Sequence, residues 1–237
     1  QQRIAMARAL APGPDVLLLD EPMSALDARL RERLRAQVKR IQSELGITTI
    51  YVTHDQEEAL AVSDRVAVMN DGTPEQVAPP RTVYREPATR FVAEFVGDNN
   101  VFAGKVVDAP AAGELAVDVD GGDETLRVAV DDEIQVDADA TATRLPEVGD
   151  RVTFCVRPEH LRVAGANDAA SDEPAASTGE NALRATVASA EFLGETTRVT
   201  LEWGGRELLV RAVDPLDGAV TVGFDPEDAH LIEIESR

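Results

Sequence analysis

Two groups of residues in this 237-residue chain have the types and spacing to act on a phosphate ester. The first is Leu17-Leu18-Leu19-Asp20-Glu21-Pro22, followed by Ser24-Ala25-Leu26-Asp27. An apolar run ending in two carboxylates reads as a strand whose carboxyl end carries the acids, the edge where open α/β sheets bind ligands. Asp20 there suits Mg2+ held through water, because Mg2+ takes one or two carboxylates and fills its shell with water and phosphate oxygens. Glu21 is then placed to polarise a water attacking a γ-phosphate. Taken alone, the acidic pair is equally well explained as the start of a helix, which favours negative charge. The second group is Thr53-His54-Asp55, again at the end of an apolar stretch. Its histidine can donate to a phosphate oxygen and orient the water. An isolated histidine is more often structural. Here 34 residues separate Asp20 from His54, with one strand–helix–strand unit between, and that spacing favours neighbouring sheet edges.

The elements that must position these groups are legible. Val16 to Leu19 is all apolar, the pattern of a strand buried on both faces of a parallel sheet. Asp27 can cap a helix in which Leu30, Leu34, Val38, Ile41 and Leu45 recur every three or four residues, and Gly46 fits its left-handed stop. Arg29, Arg31, Arg33 and Arg35 alternate along that helix and are expected as a solvated surface, with contacts to Glu32 or neighbouring acids. Thr48 to Thr53 reads as a second strand, Gln56 to Val62 as a short helix and Arg65 to Met69 as a third strand. This order points to an α/β sheet with right-handed crossovers. Pro74 is expected to weaken any strand pairing after Gly72.

Beyond Gly97 the pattern becomes short alternating strands between Gly, Pro and Asp: Val101–Val107, Leu115–Val119, Leu126–Val130, Arg151–Val156, Ala182–Phe192, Thr197–Trp203, Glu207–Ala212 and Ala219–Val222. So many strands with few helices indicate a small barrel or sandwich, with room for two similar half-barrels. Residues 166–181 have almost no large apolar side chain and are expected to form a disordered surface loop. The charge divides at the same place. Residues 1–95 hold 12 basic and 14 acidic residues, and residues 96–237 hold 11 and 30, within a net charge of −21. A domain boundary is therefore expected near residue 96.

That acidity argues against direct binding to nucleic-acid phosphates. Only Lys39 and Lys105 are lysines among the 23 basic residues, and a lysine-poor acidic surface suits a salt-rich cytoplasm, as in a halophile. Cys155 is the only cysteine, so no intrachain disulfide is possible, which fits a reducing compartment. No apolar run of about 18 residues is present to span a membrane. No charged-then-apolar leader opens the sequence, so no secretory signal is expected. His160 and His230 lack companions with metal-ligand spacing and are expected to be structural.

The motifs together resemble those of ATP-binding-cassette ATPases. Gln1-Gln2-Arg3 and the following Ile4-Ala5-Met6-Ala7-Arg8-Ala9-Leu10 resemble the tail of the signature motif and its helix. Leu17 to Pro22 is similar to the Walker B strand, Ser24 to Asp27 to the D-loop, and Thr49 to Leu60 to the H-loop strand and helix. The resemblance implies Mg2+ and ATP as cofactor and substrate, with Asp20 on the metal side and Glu21 as catalytic base. It implies His54 as the switch histidine at the γ-phosphate, Asp27 at the partner subunit across a dimer, and Gln2 just past the loop that caps the partner's nucleotide. Val156-Arg157-Pro158-Glu159-His160-Leu161, Phe192-Leu193-Gly194 and Val222-Gly223-Phe224-Asp225-Pro226-Glu227 resemble elements of the accessory β domain called TOBE. Thr82 to Pro87 and Phe91 to Gly97 resemble the helices leading into it. The implied fold is α/β, the C-terminal half of a P-loop NTPase cassette domain (residues 1–96), followed by an all-β OB-like TOBE barrel (residues 97–237).

The architecture resembles the ATPase subunits of binding-protein-dependent importers. It implies a homodimer or paired ATPase subunit, transmembrane permease partners and, indirectly, an extracellular solute-binding protein, at the cytoplasmic face of the membrane. Phe95 to Phe102 resembles importers of polyamines, ferric ion, thiamine or oxyanions more than sugar importers, which usually carry a Ser-Pro-x-Met-Asn here. No Gly-x-x-x-x-Gly-Lys-Ser/Thr occurs in the sequence, so the chain as it stands is expected neither to bind ATP tightly nor to hydrolyse it. Two other readings are a soluble cassette ATPase of translation or repair, which would lack the β domain, and an oxyanion-sensing β module beside a vestigial ATPase. Intact Asp20, Glu21 and His54 speak against the last.

Overall fold

The computed structural model describes residues 2–24, 26–111, 113–122, 124–130, 145–164 and 181–235, and it divides into two compact units, residues 1–84 and 85–237. In the first unit, α1 (Gln2–Leu10) precedes β1 (Val16–Asp20), α2 (Ala28–Leu45), β2 (Thr48–Val52) and α3 (Gln56–Val62). Asp27 caps α2 by accepting from the Leu30 amide at 2.9 Å, and Gly46 ends it with φ 62°. Leu34 and Val38 form the buried stripe with Met23, and Met6, Leu19, Leu26 and Tyr51 pack on it. Leu30 and Leu45 lie outside that stripe and are exposed.

Strands β1 and β2 pair in parallel, Val16 opposite Thr48 through Asp20 opposite Val52. The expectation of a strand buried on both faces is corrected here. Leu17 is buried, but Val16, Leu18, Ile50 and Val52 are exposed. Helices cover one face of this two-stranded sheet, so alternate side chains on the other face meet solvent. The third strand also departs from expectation. It is β3 (Val66–Asn70), and it joins β4 (Thr73–Ala78) in a separate antiparallel hairpin. Asp71 and Gly72 both have positive φ, the two-residue turn that matches strand twist. Pro74 is accommodated rather than disruptive: it stands opposite Met69 beside a register shift, on a strand with a free edge.

Helix α4 (Pro80–Arg85) ends the first unit at the division, and α5 (Arg90–Phe95) opens the second. The step in charge falls at residue 96, whereas the compact units divide after Tyr84. Helix α5 lies with the β unit: Ala93 packs with Cys155 and Ile232, and Arg157 donates to the Val96 carbonyl at 2.6 Å. Ten strands then follow among the described residues of the unit: β5 (Asn100–Ala111), β6 (Glu114–Val119), β7 (Thr125–Ala129), β8 (Arg151–Val156), β9 (Arg162–Ala164), β10 (Asn181–Phe192), β11 (Thr197–Trp203), β12 (Arg206–Ala212), β13 (Ala219–Phe224) and β14 (Ala229–Glu235). The strands β9 and β14 are absent from the sequence reading. Of the expected loop, residues 166–180 lie outside the described residues, and Asn181 is a buried strand residue.

These strands form two antiparallel five-stranded sheets around one shared core, ordered β14-β8-β5-β6-β7 and β9-β13-β10-β11-β12. The two orders are the same path walked twice. Each half supplies a long bulged strand, a hairpin and a return strand, and then gives its last strand to the other half's sheet: β9 pairs with β13, and β14 with β8. The halves also match in detail. Leu126 and Val128 of β7 are buried as Leu208 and Val210 of β12 are. Asn100 opens β5 and Asn181 opens β10, both buried. The Asn100 side chain accepts from Leu209 N at 2.7 Å and donates to Leu209 O at 2.8 Å, on edge strand β12. Asn181 does the same to Arg127 N and O, at 2.7 and 2.8 Å, on edge strand β7. Each amide thus acts as a one-residue strand that completes the open edge of the opposite sheet.

Candidate functional site

The residues singled out for chemistry meet where β1 and β2 end. Because the two strands are parallel and in register, their carboxyl ends lie side by side, and the Glu21 amide adds one more bond to the ladder by donating to Val52 O at 2.9 Å. Asp20, the last residue of β1, is exposed and shares the open face with Val16 and Leu18. Glu21 has φ 42°, a left-handed conformation that a non-glycine residue adopts only at some cost. The turn is held from below. Ser24 Oγ donates to the Glu21 carbonyl at 3.0 Å, the Leu26 amide donates to Met23 O at 3.1 Å, and Met23 is fully buried against Leu34 and Val38.

Glu21 Oε1 lies 3.1 Å from His54 Nδ1. Both side chains are largely open to solvent, so a substrate can reach them. With Nδ1–H donating to the carboxylate, Nε2 is left facing away from it, as an acceptor when neutral and as a donor to an anionic oxygen when protonated. A carboxylate that can receive a proton from water and an imidazole it orients are the two parts needed to activate and place a hydrolytic water.

The segment carrying His54 is fixed by a polar cluster that sequence reasoning missed. Glu58, buried in α3, accepts from Tyr51 Oη at 2.8 Å and Thr53 Oγ1 at 3.0 Å. Thr53 Oγ1 in turn accepts from the Asp55 amide at 2.9 Å, and Asp55 Oδ1 accepts from the Glu58 amide at 3.1 Å. His54 therefore sits between two residues that are both tied back to Glu58. Burial, with the Glu58 hydrogen bond next, pushes the Tyr51 phenol well above its ordinary pKa, which keeps it a donor.

Arg31 closes the cluster. Its Nη1 donates to Asp55 Oδ2 at 3.2 Å, its Nε is 3.6 Å from Glu58 Oε1, and its Nη2 donates to Leu26 O at 3.3 Å. The expected contacts with neighbouring acids are present, but those acids lie in α3 or cap it, and two of the four arginines are turned from solvent toward it. Arg29 and Arg33 are exposed, but Arg31 and Arg35 face α3, where Arg35 approaches Glu57. Lys39, one turn further, meets Asp64 at 2.7 Å. The recurrence of Arg31, Arg35 and Lys39 every four residues was the available signal: it is a helix stripe.

The other predicted residues are placed as follows. Asp27 spends one carboxylate oxygen on the α2 cap. Gln2 begins α1, and its side chain lies outside the described ones. In the β unit, His160 Nδ1 stands 3.4 Å from Asp228, His230 Nε2 lies 3.2 Å from Pro87 O, and Arg162 pairs with Asp225. Cys155 is buried, and burial pushes its thiol pKa up to about 12.

Residues 154–232 match the TOBE domain family. The chain is similar to curated import ATP-binding proteins. It is 44% identical over 225 residues to a spermidine/putrescine import ATP-binding protein of Rubrobacter xylanophilus, covering 94% of this chain and 53% of that protein. To the protein of the same description in Ruegeria pomeroyi it is 49% identical over 163 residues, covering 69% and 40%. To an Fe(3+) ions import ATP-binding protein of Rhizobium meliloti it is 54% identical over 128 residues, covering 54% and 33%. The chain spans about half the length, or less, of these relatives. A cytoplasmic molybdate-binding protein solved with molybdate superimposes with a TM-score of 0.41 and 22% identity, over 56% of this chain and 95% of that one. The chain thus carries a TOBE match over residues 154–232, behind a segment it shares with import ATP-binding proteins. It is homologous to the ATP-binding subunits of ATP-binding-cassette importers over their C-terminal part.

Proposed function

We propose that this chain is the C-terminal part of the nucleotide-binding subunit of an importer, in which ATP hydrolysis drives solute uptake through partner permeases. The observation that carries the reading is the Glu21–His54 contact at the shared end of β1 and β2. In this mechanism Glu21 takes the proton of the attacking water, and His54, oriented through Nδ1, presents Nε2 to the γ-phosphate oxygens. The exposed carboxylate of Asp20 fits a hard, water-retaining cation, and Mg2+ bound there would neutralise phosphate charge. Asp27 and Gln2 face the second ATPase subunit of a dimer, whose nucleotide they help to enclose. The assembly works at the cytoplasmic face of the membrane; among the described residues no helix is long and apolar enough to cross it.

The relatives named for spermidine/putrescine and Fe(3+) support a solute from the polyamine, ferric-ion, thiamine and oxyanion group over a sugar, in line with Phe95 to Phe102. The backbone cradle and lysine that hold the phosphates are not in this sequence, so residues 1–237 alone do not hydrolyse ATP. The test is ATP turnover by the complete subunit in high KCl beside its Glu21→Gln variant. The variant is expected to bind ATP and stall as a dimer. Equal rates for the two would remove Glu21 as the base, and ATP turnover by residues 1–237 alone would refute the placement of the phosphate cradle elsewhere.

A further inference from the structure

Arg31 contacts both the Ser24–Asp27 turn and the residue that follows His54. Its guanidinium donates to two oxygens and faces a third, on a carboxylate, as an ion pair, linking the turn before α2 to the start of α3. Leu26 O belongs to the Ser24–Asp27 turn, Asp55 Oδ2 belongs to the residue after His54, and Glu58 Oε1 belongs to α3. The planar fork of an arginine can hold several oxygens at fixed angles, which an ammonium cannot. The acceptors leave little freedom. Glu58 is 3% exposed and its other oxygen already takes two hydroxyl donors, while the Asp55 carboxylate is also bound to the Glu58 amide. A displacement of the Leu26 carbonyl therefore pulls on the same cation that sets the Asp55 side chain, and Asp55 is covalently next to His54.

We propose that Arg31 is a positioning residue that couples the Ser24–Asp27 turn to His54, so that the imidazole reaches its working position only when that turn is in place. This deepens the ATPase reading and rests on it. In a dimer whose second subunit presses on Asp27, the strut makes His54 responsive to the partner's arrival. Arg35 and Lys39 continue the same stripe along α2, meeting Glu57 in α3 and Asp64 just beyond it.

A purely structural ion pair would also matter for folding, and the experiment separates the two roles. In the complete subunit, ATP turnover is measured against ATP concentration for the parent, Glu21→Gln, Arg31→Lys, Arg31→Met and the double variant Arg31→Met/Glu58→Gln, each with a thermal melt. Arg31→Met alone strands the buried Glu58 carboxylate and lowers the melting temperature. The double variant removes that stranded charge, so its melt recovers. Its kcat is nevertheless expected to stay about tenfold to a hundredfold below the parent, with KM for ATP little changed, the signature of a misplaced catalytic group. Arg31→Lys, which keeps the charge but not the fork, falls between. A double variant that recovers both its melt and its kcat would overturn the proposal, because Arg31 would then serve stability alone. If Glu21→Gln matches the parent in rate, the site reading itself fails, and that outcome is distinct from a failure confined to Arg31.

Discussion

The reciprocal asparagines of the β unit give a prediction that can be worked from the structure. Asn100→Ala removes the side chain that, among the described residues, satisfies Leu209 N and Leu209 O on the outer side of edge strand β12, and also a 3.4 Å donor to Val156 O. Each backbone group left without a partner costs about 1–3 kcal/mol where it is buried. Leu209 is only half-buried, so water recovers part of that loss. The expected net destabilisation is about 2–4 kcal/mol. In a unit of this size that is a fall of roughly 5–15 °C in Tm. Asn181→Ala should behave alike, since Arg127 N and O lose the same two bonds. Asn100→Asp is the sharper probe. It preserves shape but points a carboxylate oxygen at two carbonyls in a site 5% exposed, so it should be worse than alanine at neutral pH. Burial raises that carboxyl's folded pKa, so its deficit against the parent grows as pH rises past the ordinary carboxyl value of about 4. The assay is thermal or urea unfolding followed through Trp203, the single tryptophan, buried beside Phe102. Melting of Asn100→Ala within a degree or two of the parent, or an aspartate variant as stable as the parent, would refute the reasoning.

Three further outcomes are expected. Gly204 has φ 56°, and a Cβ there would run into the Gly121 backbone where the two hairpin turns meet; Gly204→Ala should unfold the unit at ordinary temperature in the same fluorescence assay, whereas Gly205→Ala, with open space around it, should cost only backbone strain. The Cys155 thiol should resist alkylation at pH 8.5 and react only as fast as the β unit opens, and the stability it supports should decline as pH climbs from the ordinary thiol value, 9.0, toward about 12, measured by labelling against time and by melts across that range. With a net charge of −21, the chain should melt higher in molar KCl than at about 0.1 M, where repulsion still reaches about 10 Å; a Tm that is flat or falling with salt would remove self-repulsion as a factor.

Most of the site was legible because its signals are local. The cap at Asp27, the stop at Gly46 and the paired strand ends carrying Glu21 and His54 each follow from a few adjacent residues, and each stands where expected. What was not legible depends on which face meets what. Four alternating arginines look like a solvated surface until α3 is laid on α2, and then the same sequence is two exposed residues and two struts. Four apolar residues in a row look buried on both sides until the sheet is seen to have one covered face, which leaves Leu18 exposed and Leu17 buried. Hydrophobicity reports a preference for burial, and the neighbour that grants it is set elsewhere in the chain.

The exchange of β9 and β14 is the strongest case of this kind, and it bears on how the β unit could have arisen. A half that kept its own last strand would form the same five-strand path, with β9 on β8 and β14 on β13. Exchange leaves strand order, core positions and turn types untouched, so no local pattern distinguishes the two arrangements. What distinguishes them is reach. Residues 157–161 lie between β8 and β9, and Pro226 with the short turn to Asp228 lies between β13 and β14. Each connector contains a proline followed by an acid, Pro158-Glu159 and Pro226-Glu227, and Arg162 joins the two by pairing with Asp225. Both prolines open a turn inside the connector rather than a two-residue hairpin: the Arg157 carbonyl, just before Pro158, accepts from the His160 amide at 2.9 Å, and Pro226 starts the short helix to Asp228. The strand that follows is thereby carried away from its own half and across to the other. Two halves that exchange strands and clasp each other's edges through Asn100 and Asn181 cannot separate without each losing a strand and an edge partner. The unit should therefore unfold in one cooperative step rather than as two half-barrels, with a single transition in Trp203 fluorescence and far-ultraviolet circular dichroism alike. Two resolved transitions within residues 85–237 would show that the exchange does not bind the halves into one folding unit.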